Sequence, residues 1–292
     1  MNIVDTGSTS QTIAEMLRAN IEKMTPAERA LANILLDDYP MAGMVTIVEL
    51  SSRAGVSTPT VLRMLKKLGI SGYPNFQRQL KLELSATLAD PIARQNRWSA
   101  DFPEEHLLNQ FSAAAYQNLR QSLQQVDHTI FDAVASLLAD RSRHIYMVGG
   151  RITHPFADYL RTHLQIIRND ITILPASQSR WPHHLLNMGK GDVLIIFDIR
   201  RYEFSLAELA KLADQNGVKI VLFTDQWLSP ISRIAAHYFS TRIEVPSSWD
   251  SNIVTLFLLE ALIAAVGTNL GDYGARRIGE LESIFDKTGR YR

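Results

Sequence analysis

Two stretches carry charged and hydroxyl groups at spacings suited to holding an anion. The first runs Ser57-Thr58-Pro59-Thr60-Val61-Leu62-Arg63-Met64-Leu65-Lys66-Lys67. Hydroxyls and free N–H groups at a helix start reach phosphates and base edges. A guanidinium one turn on suits a bidentate contact with guanine, whereas ammonium groups act on phosphate as point charges. Arg63 is therefore the candidate base reader, and Lys66 and Lys67 the candidate phosphate holders. The second stretch pairs Gly149-Gly150-Arg151-Ile152-Thr153 with Asp198-Ile199-Arg200-Arg201-Tyr202-Glu203. Glycines let backbone approach an anion, Arg151, Arg200 or Arg201 can pair with carboxylate or phosphate, and Asp198 can take a hydroxyl or amine. Two alternatives stay open there. The glycines also suit a tight strand-to-helix turn, and the arginines also suit ion pairs with Glu203, Asp198 or a partner subunit.

Catalytic and metal chemistry find less support. The chain has 8 histidines, and the adjacent pair His183-His184 would point in different directions on a helix. No H-x-x-x-H or H-E-x-x-H spacing, G-x-S-x-G elbow or G-x-x-x-x-G-K-[ST] loop occurs. The absence of cysteine removes thiol nucleophiles, disulfides and thiolate zinc sites. No metal and no cofactor is expected.

The elements that must position these residues follow two regimes. Thr25-Pro26 with Glu28 reads as a helix start, its apolar residues Leu31, Ile34 and Leu35 recur at helical spacing, and Pro40 ends the run. Thr46 opens a short helix through Ala54, Gly55 punctuates it, and Ser57 caps another whose apolar face is Val61, Leu62, Leu65 and Leu68. Two short helices joined by a three-residue turn containing glycine form a helix-turn-helix, which seats its second helix in the major groove. A further helix is expected from Asn75 to about Ala89. From His144 onward the pattern alternates: strands at His144–Val148, Ile171–Leu174, Val193–Phe197, Ile220–Phe223 and Tyr238–Ile243, with helices at Phe156–Ile167, His183–Met188, Leu206–Asn216 and Ile231–Ala236. Apolar strands between helices predict a parallel sheet covered on both faces. Two more helices are expected over Ser248–Phe285. Ser247 and the residues after it either add hydroxyls to the ligand pocket or cap the long helix, with Ser248 or Asp250 as the cap.

Four segments in register carry a resemblance: Met24-Thr25-Pro26-Ala27-Glu28, Thr46-Ile47-Val48-Glu49-Leu50, Gly55-Val56-Ser57-Thr58-Pro59-Thr60-Val61 and Leu68-Gly69-Ile70-Ser71-Gly72-Tyr73. Over about residues 12–85 the chain resembles the N-terminal domain of the RpiR family of bacterial regulators. The resemblance implies a helix-turn-helix joined to a sugar isomerase (SIS) domain, a parallel α/β sandwich that senses phosphosugars. Thr46 and Tyr73 join the candidate DNA contacts on that basis. The resemblance also has limits. SIS domains that bind phosphosugars usually carry a serine-rich loop after the third strand and a serine in the first loop, and here Arg200-Arg201 and Arg151 with Thr153 stand in those places. The expected effector is therefore a small anion, phosphosugar or carboxylate. An isomerase built on Asp198 or Glu203 is the rival, and it lacks a phosphate cradle for its substrate.

The resulting expectation is a multidomain chain: an all-α helix-turn-helix domain over residues 1–89, a linker over 90–103, and a SIS-like, Rossmann-like α/β domain over 104–292. Its expected partners are an operator in double-stranded DNA, a small anionic metabolite and one or three copies of itself. Lys+Arg and Asp+Glu each number 30, so net charge is zero. The balance hides a local excess, because Arg53, Arg63, Lys66, Lys67, Arg78 and Lys81 fall between Glu49 and Glu83 with no acid among them. Screening limits the reach of distant acids to about 10 Å, so such a face can still attract phosphate. The start of the chain lacks signal-peptide character, and the apolar stretch Ile253–Val266 is broken by Thr255 and Glu260, so no membrane span is expected and the location is expected to be cytoplasmic.

Overall fold

Two Thr-x-x-Glu sequences open the first two helices in the computed structural model, which describes residues 11–88 and 106–289. The chain divides into two compact units, Met1–Asp90 and Pro91–Arg292. The expected linker lies outside the described residues.

In the N-terminal unit the helices are α1 (Ile13–Asn20), α2 (Pro26–Asp37), α3 (Ile47–Arg53), α4 (Thr58–Lys67) and α5 (Gly72–Leu88). Thr25 and Glu28 form the expected capping box, each satisfying a backbone N–H of the other. Thr12 and Glu15 form a second one at α1. The core gathers Leu31, Leu35, Leu50, Val61, Met64, Leu65, Phe76 and Leu80. One expectation for α4 needs correcting. Its buried face is Val61, Met64 and Leu65 with Leu68 beyond the end, while Leu62 is exposed. Both assignments fit an i, i+3, i+4 spacing, and the neighbouring helices choose between them.

The C-terminal unit begins with α6 (Leu107–Leu123) and α7 (His128–Ala139). Five parallel strands follow: β1 (Ile145–Gly149), β2 (Ile171–Ile173), β3 (Val193–Phe197), β4 (Lys219–Asp225) and β5 (His237–Thr241), in the order β2-β1-β3-β4-β5. Between them lie α8 (His154–Ile167), α9 (Trp181–Leu185) and α10 (Phe204–Gln215), and α11 (Ile253–Thr288) follows. One face of the sheet packs with α7, α8 and α11 through Leu138, Leu160, Leu164, Leu258, Leu262 and Val266. The other packs with α9 and α10 through Trp181, Leu206, Leu209 and Ala210. Strand order reverses between β1 and β3, so the crevice outside their carboxyl ends is where this architecture takes ligands.

Three helix expectations differ from the structure. The segment 183–188 yields only the short α9, which starts earlier at Trp181-Pro182. The segment 231–236 yields a single 3-10 turn, Pro230–Arg233, whose cap Ser229 accepts from the Ile231 N–H. The last helix starts at Ile253 with Asn252 as N-cap, so neither Ser248 nor Asp250 caps it. Its two expected segments meet at Gly271, where φ is 50° and helical geometry is lost. By length and composition α11 could cross a membrane, but Leu258, Leu259, Leu262, Val266 and Leu270 are buried in the core.

Candidate functional sites

The α3–α4 pair has helix-turn-helix geometry. Gly55 takes φ +62°, a left-handed conformation natural to glycine, and the Val56 N–H returns to the Ser51 carbonyl at 2.9 Å. The Thr46 hydroxyl caps α3 by accepting from the Glu49 N–H at 3.2 Å. Ser57, Pro59, Arg63 and Lys66 are exposed and Thr58 is half-buried. Thr60 is buried: its hydroxyl shares a 3.0 Å hydrogen bond with Ser57 and accepts one from the Arg63 guanidinium at 3.1 Å. It therefore positions Arg63 rather than meeting a ligand itself, which corrects its expected role.

Tyr73 is corrected too. It is buried, and its hydroxyl donates to the Val45 carbonyl at 2.9 Å. Burial, with the Glu49 charge adding, pushes its phenol up to about 12. Gln77, which carried no sequence signal, donates to the same carbonyl at 2.8 Å and ties α5 to the segment before α3.

The acid-free window of the sequence is not acid-free in space. Glu49 pairs with Arg53 at 2.5 Å, and buried Glu28 of α2 pairs with Lys67 at 2.7 Å. Burial pushes the Glu28 carboxyl up, but the Lys67 ammonium and the Thr25 N–H and hydroxyl outweigh it and hold it below the ordinary value. Lys67, expected on phosphate, is thus already engaged.

At the carboxyl ends of β1 and β3 the turn after β1 is tight by construction. A Cβ on Gly149 would stand 2.6 Å from the His154 backbone nitrogen. The Thr153 hydroxyl donates to the Phe197 carbonyl at 2.7 Å and accepts from the Gly150 N–H at 2.9 Å, so it pins this turn to β3 and is not turned toward solvent. The Glu203 carboxylate sits against the turn. It accepts from the Arg151 N–H at 2.8 Å and from the Gln178 side chain at 3.4 Å, and it fills the space where a Gly150 Cβ would be. A carboxylate of the chain itself occupies the place expected for a ligand anion.

The Asp198–Glu203 loop is held by buried acids. Asp225, at the end of β4, accepts from the Arg200 N–H at 2.7 Å, the Tyr202 hydroxyl at 2.8 Å and the Trp227 N–H at 2.9 Å. Those bonds accompany φ of +34° at Arg200 and +56° at Arg201, left-handed values that cost of order 1–3 kcal/mol each outside glycine. Asp198 is buried and accepts from the Ser229 hydroxyl at 2.5 Å and the Glu203 N–H at 3.2 Å. Burial, aided by the Asp225 and Glu203 charges and opposed by those hydrogen bonds, raises its carboxyl to about 6. It is spent on the loop, not offered to a ligand.

Arg200 is corrected most fully. Its buried guanidinium lies 2.9 Å from Asp250 and 3.7 Å from Glu244, above the Trp227 ring at 4.4 Å. Ser247 accepts from the Trp249 N–H at 3.1 Å, a local turn. Of the expected effector residues, Gly150 and Arg151 meet at the Glu203 carboxylate, and the Arg151 and Arg201 side chains are exposed.

Residues 11–87 match the helix-turn-helix domain of the rpiR family, and residues 137–265 match the SIS domain. Over 268 residues the chain is 26% identical to the HTH-type transcriptional regulator HexR of Pseudomonas aeruginosa, covering 89% of this chain and 90% of that one. The sugar isomerase domain of an RpiR transcription factor from Sphaerobacter thermophilus superposes with a TM-score of 0.58 at 22% identity, over 61% of this chain and 99% of that one. The Vibrio vulnificus NanR protein, solved with ManNAc-6P, superposes with a TM-score of 0.55 at 17% identity, over 94% of this chain and 98% of its own.

Proposed function

The chain belongs to the RpiR family, a helix-turn-helix domain followed by a SIS domain, and from that premise we propose that it is a cytoplasmic transcription regulator that binds an operator in double-stranded DNA through α4 under the control of a small anionic metabolite. The observation that carries the DNA half is the outward face of α4, where Arg63 and Lys66 stand exposed and Ser57, Thr58 and Pro59 lead the helix in. Two copies of the chain would present two such heads to half-sites about 34 Å apart, one turn of the duplex. With roughly three phosphates neutralised per head, log affinity should fall against log salt with a slope of about −5. Gel-shift titrations at several salt concentrations test this, and a slope near zero rejects it.

The effector half rests on Glu203. A chain carboxylate held by the Arg151 N–H marks a seat for negative charge, and Arg151 and Arg201 are exposed guanidinium partners for it. The chemistry is that of a carboxylate or a phosphosugar. The NanR complex with ManNAc-6P supports the second class through shared fold alone. Binding would act by favouring one arrangement of the heads, by no more than its differential affinity for the two states. Thermal-shift titration with sugar phosphates and sugar acids, ManNAc-6P among them, tests the site. Stabilisation that survives Arg151→Ala combined with Arg201→Ala would remove it.

A further inference from the structure

Leu62 lies in the middle of α4 with 43% of its surface exposed, and the core of its unit does not use it. Successive helical residues turn by about 100°. Pro59, Leu62, Arg63 and Lys66 therefore share one stripe, opposite the buried Val61, Met64, Leu65 and Leu68. A lone apolar side chain on a surface is ordinary. Its setting here is not, because it stands between Pro59 one turn before and Lys66 one turn after, beside a guanidinium positioned by Thr60.

That setting constrains what can cover it. The flanking cations Arg63 and Lys66 suit a polyanion and would be costly to bury against an apolar protein surface. The major groove of DNA offers donors, acceptors and a single apolar group, the C5-methyl of thymine. Resting on the reading of α4 as the groove-entering helix, we infer that Leu62, with Pro59 beside it, reads a thymine methyl and so sets sequence preference at that step, while Arg63 and Lys66 supply hydrogen bonds and charge.

The test uses the full chain and duplexes it retains from a random-sequence pool, resynthesised with uracil in place of thymine. Uracil keeps every hydrogen-bonding group and lacks only the methyl. The wild-type chain should bind the uracil duplexes about fourfold more weakly for each thymine methyl that Leu62 covers, the worth of one buried methylene. Leu62→Ala should bind the thymine duplexes more weakly and no longer distinguish the two, whereas Leu62→Met should keep most of the discrimination. An unchanged thymine-to-uracil ratio in Leu62→Ala would overturn the inference, because Leu62 would then serve another purpose. Retention of no duplex at roughly 50 mM salt, where phosphate contacts are strong, would overturn the DNA-binding reading and this inference with it.

Discussion

Glu28→Gln is expected to make the N-terminal unit less stable and, at the same time, more responsive to salt on DNA. Glutamine at the third helical position still completes a capping box, so the Thr25 N–H keeps its partner. What disappears is the charge facing Lys67. The Lys67 side chain is 52% exposed while that of Glu28 is only 4% exposed, so the pair has one end in water. Exposed pairs contribute 0.2–1 kcal/mol and hydrogen bonds to charged groups somewhat more, which puts the loss at about 1 kcal/mol. For a unit of this size that is a fall in Tm of about 4–8 °C. On DNA the released ammonium can neutralise one further phosphate per head, which steepens the salt slope by about 0.9 each and takes a two-headed complex from about −5 to about −7. Calorimetry and gel-shift titrations of one preparation give both numbers. A slope that stayed at the wild-type value would refute the reasoning, since Lys67 would then have no access to phosphate even when released.

Three other outcomes follow from the C-terminal unit. Asp198 titrates higher in the folded chain, at about 6, than its ordinary 3.8, so its contribution is full below 3.8 and is lost as pH rises to about 6. Asp198→Asn should flatten that descent in the difference between variant and wild-type stability measured by denaturant titration across this range. Arg200→Ala removes a buried guanidinium from beside the part-buried carboxylates Asp250 and Glu244 and should cost about 1–3 kcal/mol, read as a lower denaturation midpoint with an unchanged slope. Gly149→Ala forces a Cβ to 2.6 Å from backbone that cannot yield, so its loss of stability should exceed the roughly 1–3 kcal/mol of ordinary overpacking in the same assay.

The parts legible in the sequence were those decided by neighbours in the chain. Thr25 with Glu28, Gly55 after α3 and the apolar run Val193–Phe197 all announce themselves within one turn or one strand, and the structure places them as expected. The site residues were harder because their partners come from elsewhere. Nothing near Lys67 indicates that Glu28 will lie beside it, and nothing near Arg200 indicates Asp250. Free-looking cations in a sequence are therefore an upper limit on those available to a ligand. Leu62 and Met64 show the same limit for packing, since each completes an apolar stripe with Val61 and Leu65, and the packing of α2, α3 and α5 against α4 decides which one turns inward. Asp225 left a fainter trace, a carboxylate closing an apolar strand at the ligand end of a parallel sheet.

On the proposed reading of the Arg151 N–H as an anion seat, Glu203 would make it a place of exchange rather than of filling. Its carboxylate is a tethered competitor whose local concentration is of millimolar order or higher. An ion with a single point of attachment, present at or below that level, mostly loses the contest and leaves the loop as it was. A molecule that brings a second anchor can win, and the carboxylate it evicts must then find water or another cation. If that seat takes the effector, such an arrangement would discard the ionic background of the cell before any question of specificity arises.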